Sequence, residues 1–298
     1  MSRAMAELLC DVRCQVGESP LWNPADGTLC WVDIEGRAVH RVDAAGRHRQ
    51  WAVAERIGAI ALHGAGGLLA AMETGVFHLH LHDDGTVAST LWQAVGFPLP
   101  AMRFNDGRTD RQGRFWVSSM VRDMAAANPA GALYRADAQG LGLSGIDGLR
   151  IGNGLGFSPD GRVMYLSDSH PTVQQVWAFD LGDDGVPRNR RGFIDMHQHP
   201  GRPDGAAVDA DGGYWICAND AGLVLRFTPD GRLDRQLAVP AAKVAMCAFF
   251  GPRLDRMVVT TIRPAAPLAG WDHALAGAVF VLDPGCQGLG EMPFSDQP

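Results

Sequence analysis

Turn-forming glycines recur along this chain at nearly regular intervals, and this repeat constrains the fold more than any other feature. They stand at positions 27, 67, 113, 161 and 212, with separations of 40, 46, 48 and 51 residues. Residues 252–255, Pro-Arg-Leu-Asp, give a sixth and degenerate turn. A sequence period of roughly 20–50 residues is typical of solenoids, propellers and arrays. The spacing therefore predicts six structural units.

The residues between the turns indicate short β-strands. A β-rich run follows each turn, at 29–34, 68–73, 115–120, 163–168, 214–219 and 257–262, and a second run follows at 39–43, 76–80, 132–137, 176–181, 224–228 and 278–283. No long segment has the 3.6-residue periodicity of an amphipathic helix. Units of about four antiparallel strands predict an all-β fold, a six-bladed β-propeller whose ring closes on itself. A solenoid is the alternative, but nothing marks polar caps at both ends.

Two expectations concern the organisation of the whole chain. We expect residues 1–298 to form one propeller domain, with the apolar run 6–16 supplying the last strand of the final blade and so closing the ring. The six cysteines include no Cys-x-x-Cys pair, which favours reduced, mostly core cysteines in a cytoplasmic protein. The net charge of −7 argues against a nucleic-acid or anionic-membrane partner. No stretch approaches the roughly 18 apolar residues of a membrane span, and the N-terminus has no signal-peptide core.

Four side chains that carry oxygen atoms occupy the same position in the sequence repeat, which we call its phase. Asn105, Asn153 and Asp204 each precede their glycine turn by eight residues, and Glu18 precedes its turn, which is one residue longer, by nine. Each begins the innermost strand of its blade, so we expect the four side chains to converge on the propeller axis. Carboxylate and amide oxygens suit a hard divalent ion such as Ca²⁺, Mg²⁺ or Mn²⁺. The phase therefore predicts one metal site.

The competing interpretation is that Asn-Gly and Asp-Gly pairs merely form hairpin turns. That explanation suits any one of the four positions, but each repeat already has its turn eight or nine residues later. In the second and sixth units the equivalent positions are Ala59 and approximately Met246, which are apolar. We therefore expect four of the six blades to supply polar groups at the axis.

The same topology predicts which residues share the mouth of the propeller with these side chains. Arg103 lies two residues before Asn105 and so on the same strand face. The loop 121–130 returns to that end of the blade and carries Arg122 and Asp123. By the same register we expect five further residues near the rim: Glu35, Thr74, His170, Asp220 and Arg263.

At these positions the chain resembles the gluconolactonase family that includes senescence marker protein (regucalcin) and luciferin-regenerating enzyme. The matching stretches are residues 17–22, 103–107, 153–161 and 203–205. The resemblance implies a six-bladed propeller whose central divalent ion is bound by Glu18, Asn153 and Asp204. It also implies that Arg103 and Asn105 contact the substrate. Asp123 matches an acidic substrate-binding residue of the family, although that residue is often Glu and Asp has a shorter reach.

The implied reaction is hydrolysis of a sugar lactone to the aldonic acid. A divalent ion can polarise an ester carbonyl, and Asp204 is the expected general base. A shallow, polar mouth would suit a polyol better than an apolar ester. The alternatives are a promiscuous arylesterase or phosphotriesterase, or a metal-binding propeller without catalytic activity. Oxygen ligands alone do not choose among Ca²⁺, Mg²⁺, Mn²⁺, Zn²⁺ and Fe²⁺, and the sequence does not indicate an oligomeric state.

Overall fold

The computed structural model describes residues 6–296, and these residues form six four-stranded antiparallel sheets. Within that range the helical segments are two short 3-10 turns, Met124–Ala126 and Met196–Gln198. No helix among the described residues combines the length and hydrophobicity needed to cross a membrane. The predicted all-β, six-bladed propeller is thus confirmed.

Strands are numbered in chain order, and the N-terminal strand β1 (Glu7–Cys10) belongs to the last blade. Blade one contains β2 (Gly17–Asn23), β3 (Thr28–Asp33), β4 (Ala38–Val42) and β5 (His48–Ala52). Blade two contains β6 (Ile57–Leu62), β7 (Leu68–Met72), β8 (Gly75–Leu81) and β9 (Val87–Ala94). Blade three contains β10 (Met102–Thr109), β11 (Phe115–Val121), β12 (Leu133–Asp137) and β13 (Gly140–Leu143).

The remaining blades repeat this order from the axis outwards. Blade four contains β14 (Gly152–Phe157), β15 (Val163–Asp168), β16 (Gln175–Leu181) and β17 (Pro187–Asp195). Blade five contains β18 (Arg202–Val208), β19 (Tyr214–Asn219), β20 (Leu223–Phe227) and β21 (Leu233–Ala238). Blade six contains β22 (Val244–Phe250), β23 (Arg256–Thr261) and β24 (Val279–Leu282), with β1 as its outermost strand.

The N-terminal strand closes the ring as predicted. Strand β1 pairs antiparallel with β24, and Glu7 and Leu8 lie opposite Val281 and Phe280. The last blade therefore contains strands from both ends of the chain, and their pairing closes the ring. The predicted strand boundaries also hold: all twelve predicted runs agree with the observed strands to within one residue at each end.

The core consists of one apolar cluster between each pair of neighbouring blades. Trp31, Trp116 and Trp215 are fully buried at three of these interfaces. All six cysteines are free, and four of them are buried, which confirms the prediction of mostly core thiols. Burial between blades, and not within one sheet, is what holds the units in a ring.

All six innermost strands are irregular at the same place. Each has a shift of register near its start: Glu18/Leu21, Ile57/Ala59, Phe104/Gly107, Asn153/Gly156, Pro203/Ala206 and Val244/Cys247. A β-bulge bends a strand locally and re-aims its side chains, and such bulges are common beside active sites. The residues that share the repeat phase therefore lie at or beside a bulge in every blade.

Glycine allows these inner strands to approach one another closely. A Cβ atom added at Gly58 would lie 2.5 Å from the carbonyl oxygen of Phe104 in the next blade. A Cβ atom at Gly205 would lie 2.4 Å from Cγ of Met246. These contacts leave no space for a side chain, so the backbones of neighbouring inner strands touch at the axis.

We predict that Gly58→Ala destabilises the protein by about 1–3 kcal/mol, because the added methyl group overpacks a rigid backbone contact. Gly96→Ala is the matched control, since no atom lies within 4 Å of the position that its Cβ would take. That control should be neutral or stabilising by up to about 1 kcal/mol. Free energies of unfolding in urea provide the measurement. Equal values for the two variants would contradict the close packing of the inner strands.

Candidate active site

A cavity of about 880 Å³ lies at the mouth of the propeller, where the inner strands begin. Its polar lining includes all the residues expected at the axis and two more that sequence reasoning did not single out for the site: Glu18, Arg103, Asn105, Asn153, Asp204, Ser169 and Asn219. The four residues in one phase of the repeat are therefore brought together, although up to 186 positions separate them in the sequence (Glu18 to Asp204).

The three predicted metal ligands come from three different inner strands. Glu18, Asn153 and Asp204 are 7%, 3% and 7% exposed. Oε2 of Glu18 accepts a hydrogen bond from the backbone N–H of Ser19 at 3.3 Å. Nδ2 of Asn153 donates to Oγ of Ser169 at 2.9 Å, which orients the amide. Oδ2 of Asp204 accepts from Nδ2 of Asn219 at 2.5 Å.

The two carboxylates are buried without an ion-pair partner among residues 6–296. Burial raises the pKa of Glu18 well above its usual range, and the neighbouring Asp204 and Asp106 raise it further. Burial also raises the pKa of Asp204, to about 7. Two buried acids that repel each other are costly when ionised. A divalent cation between them would compensate this charge.

The chemistry of the donor set fits such a cation. The carboxylate oxygens of Glu18 and Asp204 and the amide oxygen of Asn153 are hard ligands. In addition, Oδ1 of Asn219 is buried and has no hydrogen-bond partner among the described residues. An unsatisfied buried oxygen beside two unpaired carboxylates is explained by a ligand that is itself positively charged. Asn219 could have been found from the sequence, since it ends the strand opposite Arg202 and thus returns to the mouth.

Arg103 and Asn105 form a hydrogen-bonded unit beside these oxygens. Nη1 of Arg103 donates to Oδ1 of Asn105 at 2.7 Å and to the carbonyl oxygen of Phe104 at 2.8 Å. Nδ2 of Asn105 donates to Oδ1 of Asn153 at 3.0 Å and to the carbonyl oxygen of Gly152 at 2.9 Å. Asn105 therefore links Arg103 to a predicted metal ligand in the next blade.

Asp123 lies outside the lining of this cavity. Its carboxylate is exposed and accepts a hydrogen bond from the backbone N–H of Ala125 at 3.1 Å, so it caps the short turn Met124–Ala126. Its neighbours Arg122 and Met124 line the cavity instead. Contact between Asp123 and a substrate stays a prediction from the family resemblance.

Glu35 is an acidic residue that lines the cavity. Oε2 of Glu35 accepts from Nε of Arg56 at 2.9 Å, and Nη1 of Arg56 donates to Oε1 of Glu73 at 3.1 Å. Nη1 of Arg122 lies 3.8 Å from the same oxygen of Glu73. This network fixes Glu35 on the side of the mouth formed by the first three blades.

The other rim residues divide into two groups. Arg263 lines the cavity, and Asp220 pairs with the lining residues Arg202 and Lys243. Thr74 and His170 do not belong to the lining; they hydrogen-bond to Glu55 and Thr172 respectively. Of the five residues expected near the rim, Glu35 and Arg263 line the cavity and Asp220 contacts its lining, so register did not resolve which side chains point inwards.

Part of the cavity is apolar, which differs from the expected polar mouth. The apolar lining residues are Val16, Met120, Met124, Ile151, Ile262 and Leu268, together with Pro264, Ala265 and Ala266. Five of these nine residues belong to the segment after β23: Ile262, Pro264, Ala265, Ala266 and Leu268. The cavity therefore offers hydrogen-bonding groups at the axis and an apolar lip at the side.

Comparison with known proteins finds relatives over most of the chain. The model of the SMP-30/Gluconolactonase/LRE-like region matches residues 16–263. The 6-deoxy-6-sulfogluconolactonase of Pseudomonas putida is 34% identical, over 91% of this chain and 93% of the relative. The L-arabinolactonase of Azospirillum brasilense is also 34% identical, over 98% and 96%. The solved structure of a calcium-binding protein, regucalcin, from Agrobacterium tumefaciens aligns with a TM-score of 0.88 at 28% identity, over 98% of each chain.

We predict that the buried Asp204 makes the stability of the metal-free protein depend on pH. In the folded chain the pKa of Asp204 is about 7, whereas in the unfolded chain it is about 3.9. The folded state therefore binds more protons between these values, so this contribution is fully present below about pH 4 and is lost as pH rises through 7.

The measurement is the free energy of unfolding in EDTA for the wild-type protein and for Asp204→Asn, from pH 4 to 8. The variant lacks the titrating group, so its stability should fall less with rising pH, by up to about 1.4 kcal/mol per pH unit. Identical pH profiles for the two proteins would contradict a raised pKa at this position.

Proposed function

This chain belongs to the SMP-30/gluconolactonase/LRE-like family, and we propose that it hydrolyses a sugar lactone to the corresponding aldonic acid. We further propose that the reaction depends on one divalent metal ion held by Glu18, Asn153 and Asp204. Two relatives are named as sugar lactonases, one for 6-deoxy-6-sulfogluconolactone and one for L-arabinolactone. Hydrolysis of a cyclic ester of this class is the activity that the family and the cavity support best.

One observation carries the proposal: the oxygen ligands and the Arg103–Asn105 unit face the same cavity. The hydrogen bond from Nδ2 of Asn105 to Oδ1 of Asn153 joins the two groups directly. A lactone bound to Arg103 and Asn105 would therefore lie beside the proposed ion. Arginine supplies a planar set of N–H donors, which suits the hydroxyl and carbonyl oxygens of a sugar ring.

The reaction requires a water molecule, a base and a proton donor. A divalent ion at this site would act as a Lewis acid towards the ester carbonyl. Asp204 takes a proton from the water, and the water oxygen forms a bond to the carbonyl carbon. The bond between that carbon and the ring oxygen then breaks, and the protonated Asp204 returns its proton to the ring oxygen. The product is the open-chain hydroxy acid. One oxygen of Asp204 is held by Asn219, which leaves the other to face the water.

A second candidate is a promiscuous metal-dependent arylesterase or phosphotriesterase. The apolar lip formed by Met124, Ile262 and Leu268 favours this possibility, since it would accept an aromatic or alkyl leaving group. A third is metal binding without catalysis, because one structural relative is described as a calcium-binding protein. Parallel assays with glucono-1,5-lactone, pentonolactones, phenyl acetate and paraoxon separate the three candidates.

We predict that Asp204→Ala lowers kcat/KM for the best lactone by at least about 1,000-fold, because it removes the base and a charged ligand together. Asp160→Ala is the control, since Asp160 is an exposed residue of the turn at the other end of blade four. Its activity should equal that of the wild type. A pH-indicator assay corrected for spontaneous hydrolysis provides the measurement. An Asp204→Ala variant with more than a tenth of the wild-type rate would exclude Asp204 as the base.

Removal of the metal should abolish turnover, and Asn153→Ala should weaken metal binding about 10-fold or more, because one oxygen ligand is lost. The protein is treated with EDTA, dialysed and then titrated with Ca²⁺, Mg²⁺, Mn²⁺ and Zn²⁺ in a calorimeter. Each reconstituted form is then assayed. Full activity of the metal-free protein would disprove the metal-dependent mechanism.

A further inference from the structure

We propose that the cavity selects a lactone that carries an anionic substituent, bound by Lys243 and Arg263 with support from Arg202. These three residues form a cationic wall on the side of the mouth contributed by blades five and six. The inference rests on the proposed function and narrows its substrate class. Carboxylate, phosphate and sulfonate groups share the required chemistry, namely negatively charged oxygens that accept several hydrogen bonds.

The wall is assembled around a single carboxylate. Oδ2 of Asp220 accepts from Nε of Arg202 at 2.8 Å, and Oδ1 of Asp220 pairs with Nζ of Lys243. Asp220 has a positive φ of 76°, an uncommon conformation for a residue other than glycine. Such conformations persist where the surrounding contacts require them. Asp220, in the turn after β19, thus forms ion pairs with both Arg202 and Lys243.

Arg263 completes the wall and has no acidic partner among the described residues. Its backbone N–H lies 3.2 Å from the carbonyl oxygens of Cys14 and Gln15, which anchors the residue at the rim. The N–H of the preceding residue, Ile262, donates to the carbonyl oxygen of Lys243 at 2.9 Å. Arg263 therefore lies beside Lys243, and this exposed residue lines the cavity.

The charges do not balance on this side of the cavity. Three cations face one carboxylate, so two positive charges remain uncompensated. Over the whole lining, cations also outnumber acids: the five cations are Arg103, Arg122, Arg202, Lys243 and Arg263, and the three acids are Glu18, Glu35 and Asp204. A divalent ion would only cancel the charge of Glu18 and Asp204. The mouth is thus positive in a protein whose net charge is −7.

A neutral sugar does not require this arrangement, since hydroxyl groups are bound as well by uncharged donors and acceptors. An anionic group explains it, because the guanidinium fork and the ammonium group both form charge-assisted hydrogen bonds with charged oxygens. Lys243 uses one of its three N–H donors for Asp220 and keeps two. A lactone ring at Arg103 and Asn105 would direct its distal substituent towards this wall across the cavity.

Kinetics with matched lactones test the proposal. We expect kcat/KM for 6-phospho- or 6-sulfo-glucono-1,5-lactone to exceed that for glucono-1,5-lactone by about 10-fold or more, since hydrogen bonds between charged groups are stronger than those between neutral groups. This ratio should fall about 10-fold in Arg263→Gln and in Lys243→Gln, and Arg263→Lys should restore part of it. The ratio should also fall as ionic strength rises, because the wall is solvent-accessible. Arg253→Gln is the control, as Arg253 is 79% exposed in the turn at the other end of blade six.

A binding experiment separates this inference from the proposed function. 1,5-Anhydroglucitol and its 6-phosphate have no lactone carbonyl and cannot undergo the lactonase reaction, and calorimetry gives their affinities for the wild-type and variant proteins. Tighter binding of the phosphate that is lost in Arg263→Gln supports the cationic wall even if no lactone is turned over. Hydrolysis of the neutral and anionic lactones at equal kcat/KM, with equal binding of the two anhydroglucitols, overturns the wall and leaves the lactonase proposal intact.

Discussion

Close contact between the inner strands at the propeller axis is the constraint on which the rest of the structure depends. A Cβ atom added at Gly107 would lie 2.9 Å from Cβ of Ala59, and one added at Gly58 would lie 2.5 Å from the carbonyl oxygen of Phe104. Because the backbones approach so closely, side chains at the starts of neighbouring strands can touch. The hydrogen bond from Asn105 to Asn153 joins residues 48 positions apart. The cavity is therefore a direct product of the ring closure.

The same convergence concentrates polar groups along the axis at a cost in stability. Beside the proposed ligand oxygens, burial raises the pKa of Asp106 to about 6, and one of the Asp106 oxygens has no hydrogen-bond partner among the described residues. Arg108 lies on the same strand, β10. Its Nη2 donates to the carbonyl oxygen of Ala206 at 2.6 Å, and its Nη1 pairs with Glu291 of the C-terminal segment. Unpaired buried acids destabilise a fold. Their presence here is consistent with selection for a bound cation and not for stability alone.

The sequence was sufficient for features that repeat and insufficient for features that depend on one local contact. Strand positions followed from the glycine spacing, and the convergence of Glu18, Asn153 and Asp204 followed from their common phase. Asp123 is different, because a hydrogen bond to the backbone of its own turn directs its carboxylate away from the cavity. The inward position of Glu35 depends on Arg56, 21 residues away, and no repeat pattern encodes that pair. Register locates a residue at the rim, but individual ion pairs decide where its side chain points.

The cavity is lined partly by inner strands and partly by the segments that follow the second strands of the blades. The proposed ligands lie on inner strands that are fixed by bulges and by contact with the next blade. Arg263 and Asp220 lie instead just after strands β23 and β19, where the chain tolerates substitution more readily. A new charge at Arg263 alters what the mouth attracts without moving the oxygens of Glu18 or Asp204. Under the two proposals, reaction type and substrate choice are therefore separable, because they depend on different parts of each blade.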